Sequence, residues 1–145
     1  MQRRLSTILA ADIVEFSRLM EADEEATVRA LNTCRKSIDN TITAHNGRIF
    51  GSAGDSVISE FASPVEAVRC AVNIQKDLES TEHDLPESLR MRFRIGINLG
   101  DVIVEGDNLL GDGVNVAARL ETIADPGGIT LSRACLLYTS DAADE

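Results

Sequence analysis

The chain has 145 residues, 43% hydrophobic and 26% charged, with only 3 Pro and 10 Gly. That is enough apolar material for one compact domain, and it excludes collagen-like and disordered chains. Lys and Arg number 14 against 24 Asp and Glu, a net charge of −10. So acidic a surface excludes a nucleic-acid scaffold, which needs a basic face, yet suits a single nucleotide held through cations.

No apolar run approaches the roughly 18 residues of a membrane span. Arg3-Arg4 ahead of Leu5 to Ala11 imitates an export signal, but Asp12 cuts the stretch short and no small-residue cleavage site follows. Cys34, Cys70 and Cys135 are widely spaced without a CxxC pair. They are expected to be buried or free thiols in a reducing compartment, and the expected location is the cytoplasm.

In chain order, Ile8 to Ala11 reads as a strand ending at Asp12, and Phe16-Ser17-Arg18-Leu19-Met20 opens a short helix. Asp23 caps a long amphipathic helix whose stripe is Val28, Leu31, Cys34, Ile38 and Ile42, stopped by Asn46-Gly47. Arg48 to Phe50 and Val57 to Phe61 flank the small residues Gly51 to Ser56 as a hairpin. Ser63-Pro64-Val65-Glu66 is a capping box with Pro at the first helical position; Val65, Val68, Ala71, Val72, Gln75 and Leu78 continue one face.

Glu79 to Glu87 reads as a loop before the strand Met91 to Ile97, and Asn98-Leu99-Gly100-Asp101 is expected to turn that strand back into Val102-Ile103-Val104. Gly111-Asp112-Gly113 precedes a helix from Val114 to Ala124, closed by Pro126-Gly127-Gly128, and Ile129 to Leu131 is a last strand. The order β-α-α-β-β-α-β-β-α-β predicts an α+β fold, a ferredoxin-like sheet of the split-βαβ kind with its helices packed on one face.

Residues 135–145 show neither periodicity nor a continuation of the preceding strand. They look like one reading frame of a transposase-type sequencing adapter. The expected organisation is therefore a domain over 1–134, incomplete at its C-terminus, and a non-native tail over 135–145.

Asp12 closes an apolar strand and Asp55 occupies a Gly-Asp turn. Taken singly, each reads equally as a turn or cap residue. Hard divalent cations such as magnesium want carboxylate oxygens, however, and two such groups brought together can hold ions beside a triphosphate. If the first strand lies beside the hairpin, the two carboxylates meet at one sheet edge, a costly placement without a cation.

The backbone from Ile13 through Val14, Glu15, Phe16 and Ser17 turns into a helix whose free N–H groups suit phosphate oxygens. Asn115 and Arg119 stand four apart on one helix face amid apolar neighbours. The plainer reading pairs Arg119 with Glu121 or Asp112. His45 and His83 read as solvated residues and receive no role.

Four motifs in order carry a recognisable pattern: Ala11-Asp12-Ile13-Val14-x-Phe16-Ser17, Gly54-Asp55-Ser56, Arg94-Ile95-Gly96-Ile97-Asn98-Leu99-Gly100, and Gly111-Asp112-Gly113-Val114-Asn115-Val116-Ala117-Ala118-Arg119-Leu120. Together they resemble the class III adenylate/guanylate cyclase catalytic domain, especially bacterial versions, from about Arg4 to Ala134. The resemblance implies a palm-type core acting as a head-to-tail homodimer on ATP (or GTP). It also implies that Asp12, Asp55 and the Ile13 carbonyl bind two Mg2+ or Mn2+ ions. Asn115 would orient the ribose, Arg119 would stabilise charge on the α-phosphate, and Val14 to Ser17 would lie beside the phosphates.

The pattern departs from the family where the base is read. Adenylate cyclases place a Lys and an Asp at the positions held here by Gly51 and Asn108, and guanylate cyclases place Glu and Cys. Asn108, which can both donate and accept, is then the remaining candidate reader. Glu15 stands where the family has a Gly, and the family's terminal-phosphate lysine falls beyond Ala134. The alternatives to an adenylate cyclase are a guanylate cyclase or a non-catalytic dimerisation module that keeps the fold. Dinucleotide cyclases fit less well, because their Gly-Gly-acid-acid-Phe turn is absent at Gly54-Asp55.

Overall fold

A computed structural model describes residues 2–53, 55–82, 86 and 90–143. The elements are β1 (Gln2–Ile13), α1 (Phe16–Ala22), α2 (Glu24–Ala44), β2 (Arg48–Ala53), β3 (Ser56–Phe61), α3 (Pro64–Glu82), β4 (Phe93–Glu105), β5 (Asn108–Leu110), α4 (Asp112–Ile123), β6 (Ile129–Leu131) and α5 (Arg133–Ala143). The six strands form one mixed sheet, ordered β2-β3-β1-β4-β5, with β6 paired in parallel to the other end of the β4 edge.

The local signals act as expected. Asp23 accepts from the Ala26 amide at 3.0 Å, and the Ser63 hydroxyl accepts from Glu66 N at 3.3 Å. Asn46 takes φ 63° so that Gly47 N–H can return to the Ile42 carbonyl at 2.8 Å. Two strands run longer than patterning suggests. β1 begins at Gln2, so the basic stretch that mimics an export signal is sheet, with Arg3 on Asp101 and Arg4 on Glu60.

β4 is continuous through Asn98 to Asp101, where a turn was expected. It pairs with β1 without a break from Ile13↔Phe93 to Gln2↔Val104, and the reversal comes at Gly106-Asp107. A twelve-residue partner supplies a full ladder, and that outweighs the local turn signal of Asn-Leu-Gly-Asp.

The expected burial of α3 shifts by one position: Ala67, Cys70, Ala71, Ile74 and Leu78 face inward, while Val72 is exposed. α3 also extends to Glu82 into the expected loop, whose residue His83 lies outside the described residues. Of residues 135–145, expected to continue no element, those up to 143 lie in α5, which starts at Arg133, and Cys135 is buried in the core.

Alternation along β1 assigns the two sheet faces. Leu9, Ala11 and Ile13 join the main core with Ile38, Ile42, Ile74, Phe61 and Phe93, under α1, α2, α3 and α5. Ile8 and Ala10 point the other way, into a smaller cluster with Val102, Leu109 and Ala117 of α4. The α+β architecture is as expected, but not every helix shares one face, because α4 covers the opposite side.

Small residues make that second layer possible. A Cβ on Gly96 would lie 2.3 Å from Glu121 N and 2.5 Å from the Ala117 carbonyl, so the backbone of α4 rests directly on β4. Among the described residues no helix is long and apolar enough to cross a membrane.

Candidate active site

Asp12 is the last residue but one of β1, paired with Ser56 on one side and Arg94 on the other. Asp55 sits in the β2–β3 turn immediately before Ser56, which brings its carboxyl within hydrogen-bonding reach of Asp12. The two acids that the sequence separates by a helical excursion therefore share one sheet edge.

Asp12 Oδ1 also accepts from the Ile13 amide at 2.8 Å. Burial first, then the hydrogen bond and charge of Asp55 and the charge of Glu121, push the Asp12 carboxyl from 3.8 up to about 8, against the opposing pull of the Ile13 amide. Such a site favours a proton or a cation between the two groups. The donors are oxygens, which fits Mg2+ or Mn2+ rather than softer metals. Among the described residues no three acid, His or Cys side chains form a ready-made cation cage. Remaining ligands would have to come from backbone, water or a bound phosphate.

Glu121 was assigned by sequence only as a partner for Arg119. It instead faces inward from α4, 8% exposed and hydrogen-bonded to Asp12, with the charge of Arg94 nearby. Burial raises its carboxyl above the ordinary range, although Asp12, Thr122 and Arg94 oppose that rise. The signal available in sequence was spacing: Gly113, Ala117 and Glu121 recur at i, i+4 and i+8, placing an acid on a buried stripe of small residues.

Asn115 and Arg119 lie on the opposite side of α4. At roughly 100° per residue they stand some 160–200° around the axis from the centre of the buried stripe. Both are exposed, and Ile123, 72% exposed, extends their line. They are not amid apolar neighbours, as expected, but on the outer surface. Arg119 has no ion pair among the described residues, so neither Glu121 nor Asp112 partners it. One chain thus holds Asp12 with Asp55 on one side of α4 and turns Asn115 with Arg119 away from them.

The segment after Asp12 is partly committed. The Val14 amide donates to the Arg92 carbonyl at 2.8 Å, which removes it from the free phosphate donors. The first-turn amides of Phe16 and Ser17 bond no acceptor outside the helix among the described residues. Glu15 takes a left-handed backbone (φ 55°), and its carboxylate is held by Arg18 at 2.8 Å, so its charge is compensated within the turn.

Gly51 follows a register shift in β2, and a Cβ there would meet only Ile58 Cβ at 3.8 Å. Asn108 is exposed at the start of β5, and its Oδ1 accepts from Leu109 N at 3.0 Å. Arg48, donating to the Asp107 carbonyl at 2.9 Å, joins the beginning of β2 to the turn before β5.

Other titratable residues serve the scaffold. His45, expected to be solvated, lies between Glu66 and Asn73 at 2.9 Å each. All three cysteines are buried and free; burial pushes the Cys34 and Cys70 thiols up to about 12, so they are not nucleophiles.

Comparisons with known proteins agree with this architecture. A relative from Rhizobium meliloti (strain 1021), named "Putative adenylate cyclase 3", is 46% identical over 144 residues, 99% of this chain; the chain spans 24% of that relative's length. The crystal structure of an adenylate/guanylate cyclase/hydrolase from Silicibacter pomeroyi superposes with TM-score 0.91 at 41% identity, over 97% of this chain and 83% of that one. That of the guanylyl cyclase Cya2 superposes with TM-score 0.82 at 28% identity, over 95% and 79%. The family model for the adenylate and guanylate cyclase catalytic domain matches residues 3–143. With this match over nearly its whole length, the chain belongs to the adenylate/guanylate cyclase catalytic domain family.

Proposed function

We propose that this domain converts ATP to 3′,5′-cyclic AMP and pyrophosphate at the interface of a head-to-tail homodimer. The observation that carries the reading is the meeting of Asp12 and Asp55 on one sheet edge, in a setting that favours a cation between them. Two Mg2+ or Mn2+ ions, when bound, would supply Lewis-acid activation of the ribose 3′-hydroxyl and neutralise the triphosphate. Asp12 and Asp55 would hold them, together with the Ile13 carbonyl.

The remaining roles follow from where the side chains point. The amides of Phe16 and Ser17 would receive phosphate oxygens, while Arg18 keeps the Glu15 charge occupied. Asn115 and Arg119 face away from their own Asp12, so they would complete the site of a second copy. There, the amide would orient the ribose and the guanidinium would stabilise charge growing on the α-phosphate as the 3′-oxygen attacks and pyrophosphate leaves.

ATP is preferred because the 46%-identical relative carries an adenylate cyclase name. A second reading, a guanylate cyclase or a non-catalytic dimerisation module, is favoured by Gly51, which offers no side chain, and by Asn108, whose Oδ1 is already bonded. Incubating a complete domain with ATP or GTP and Mg2+ or Mn2+, with products separated by chromatography, tests all three. Cyclic AMP is the expected product, cyclic GMP alone would reassign the substrate, and no cyclic nucleotide from either would end the catalytic reading.

A further inference from the structure

Arg94 and Glu121 stand beside the acid pair without a place in the reading above. Arg94 lies opposite Asp12 across the β1–β4 ladder, and its Nε is buried with no hydrogen-bond acceptor among the described residues. Glu121, equally buried, spends its carboxyl on Asp12, another acid, although the Arg94 charge is close enough to act on it. An orphaned guanidinium N–H is unfavourable in a buried setting, and a hydrogen bond between two acids is lost once one of them takes a cation. One swing of the Glu121 side chain from Asp12 to Arg94 would then leave neither Glu121 nor the Arg94 Nε–H unpartnered.

The helix itself has no room to take part. Gly96 keeps α4 in backbone contact with β4, and Asn98 Nδ2 donates to the Gly113 carbonyl at 3.0 Å, fixing the first turn. The movement therefore falls to the torsions of the Glu121 side chain. What would release it is a replacement partner for Asp12.

We propose that Glu121 is a positioning residue: it holds the Asp12 carboxyl in the cation-free domain and passes to Arg94 Nε when a divalent cation takes Asp12 and Asp55. This rests on the cation reading of the acid pair. The pair then formed, Arg94 with Glu121, is neutral overall and releases the Asp12 carboxyl from Glu121, so that only the Ile13 amide still shares it with the cation.

The test uses the full chain and Mn2+ alone, titrated by the paramagnetic resonance of the free ion, and diamagnetic Mg2+ for nitrogen-15 NMR of the Arg94 Nε–H. Wild type is expected to bind Mn2+ and Asp12→Asn to lose it; Glu121→Gln, with unchanged circular dichroism, is expected to bind at least about tenfold more weakly. Mg2+ should shift the Arg94 Nε–H signal, assigned with Arg94→Lys, and slow its exchange in wild type but not in Glu121→Gln. If Asp12→Asn abolishes binding but Glu121→Gln binds within twofold of wild type, or the wild-type Arg94 signal ignores Mg2+, the exchange is wrong and the cation reading survives. If wild type and Asp12→Asn bind alike, the cation reading fails and takes this proposal with it.

Discussion

The direct seating of α4 on β4 makes Gly96→Ala the sharpest test of the second layer. The added methyl would meet Glu121 N at 2.3 Å, the Ala117 carbonyl at 2.5 Å and Glu121 Cα at 2.9 Å, all backbone atoms that cannot rotate away. α4 would have to lift by about 1 Å, an overpacking cost of about 3 kcal/mol. The smaller entropy of the unfolded Ala chain returns up to about 1 kcal/mol, leaving a net loss of about 2 kcal/mol. At about 2–4 °C per kcal/mol for a chain of this size, the midpoint falls by about 4–8 °C.

Gly51→Ala is the matched control, because its methyl would find only Ile58 Cβ at an ordinary 3.8 Å. It should be neutral, or stabilising by up to about 1 kcal/mol. Thermal melts followed by circular dichroism compare the two. A Gly96→Ala protein as stable as wild type, or a Gly51→Ala protein equally weakened, would refute the close packing of α4 and with it the placement of Glu121.

Because the Asp12 carboxyl sits at about 8 rather than 3.8, the folded chain holds a proton there that the unfolded chain loses. The cation-free protein should lose stability as pH rises through that window and level off above it. Mn2+ must displace the same proton. The carboxyl is roughly a tenth ionised at pH 7 and nine-tenths at pH 9, so apparent Mn2+ affinity should rise about tenfold between them; a flat profile by calorimetry would contradict this.

In a complete domain, Asp12→Ala and Arg119→Ala should each abolish cyclic nucleotide production, whereas an equal mixture should recover about a quarter of it, since half the dimers are mixed and each retains one intact site. No recovery with mixed dimers demonstrated would argue against a site shared between copies. Glu82→Ala leaves the Met91 amide and the Cys34 thiol without their buried acceptor. It should cost about 1–3 kcal/mol in urea unfolding, and a loss below about 0.5 kcal/mol would show that this buried carboxylate does not tie α3 to α2 and to the segment ahead of β4.

The features legible in the sequence are those that depend on a few neighbouring residues. The Asp23 and Ser63 caps, the Asn46-Gly47 stop and the β2–β3 hairpin are chemistry between groups close along the chain, so residue identity alone decided them. The four ordered motifs likewise identify the family, and they single out Asp12 and Asp55 before any contact between them is known.

The tertiary structure decided whatever depends on a distant partner. Asn98 to Asp101 carries a turn signal, yet the β1 ladder holds it straight. Periodicity showed that α4 has two sides but not which side meets the sheet. That choice came from the absence of side chains at Gly96 and Gly113, which lets the helix lie against β4 and the β4 carbonyl of Asp101. It sends Glu121 inward to Asp12 and Asn115 with Arg119 outward. Likewise, only the pairing of β1 beside β3 sets two like charges together, because Coulomb repulsion depends on distance in space and leaves no mark on the order of residues.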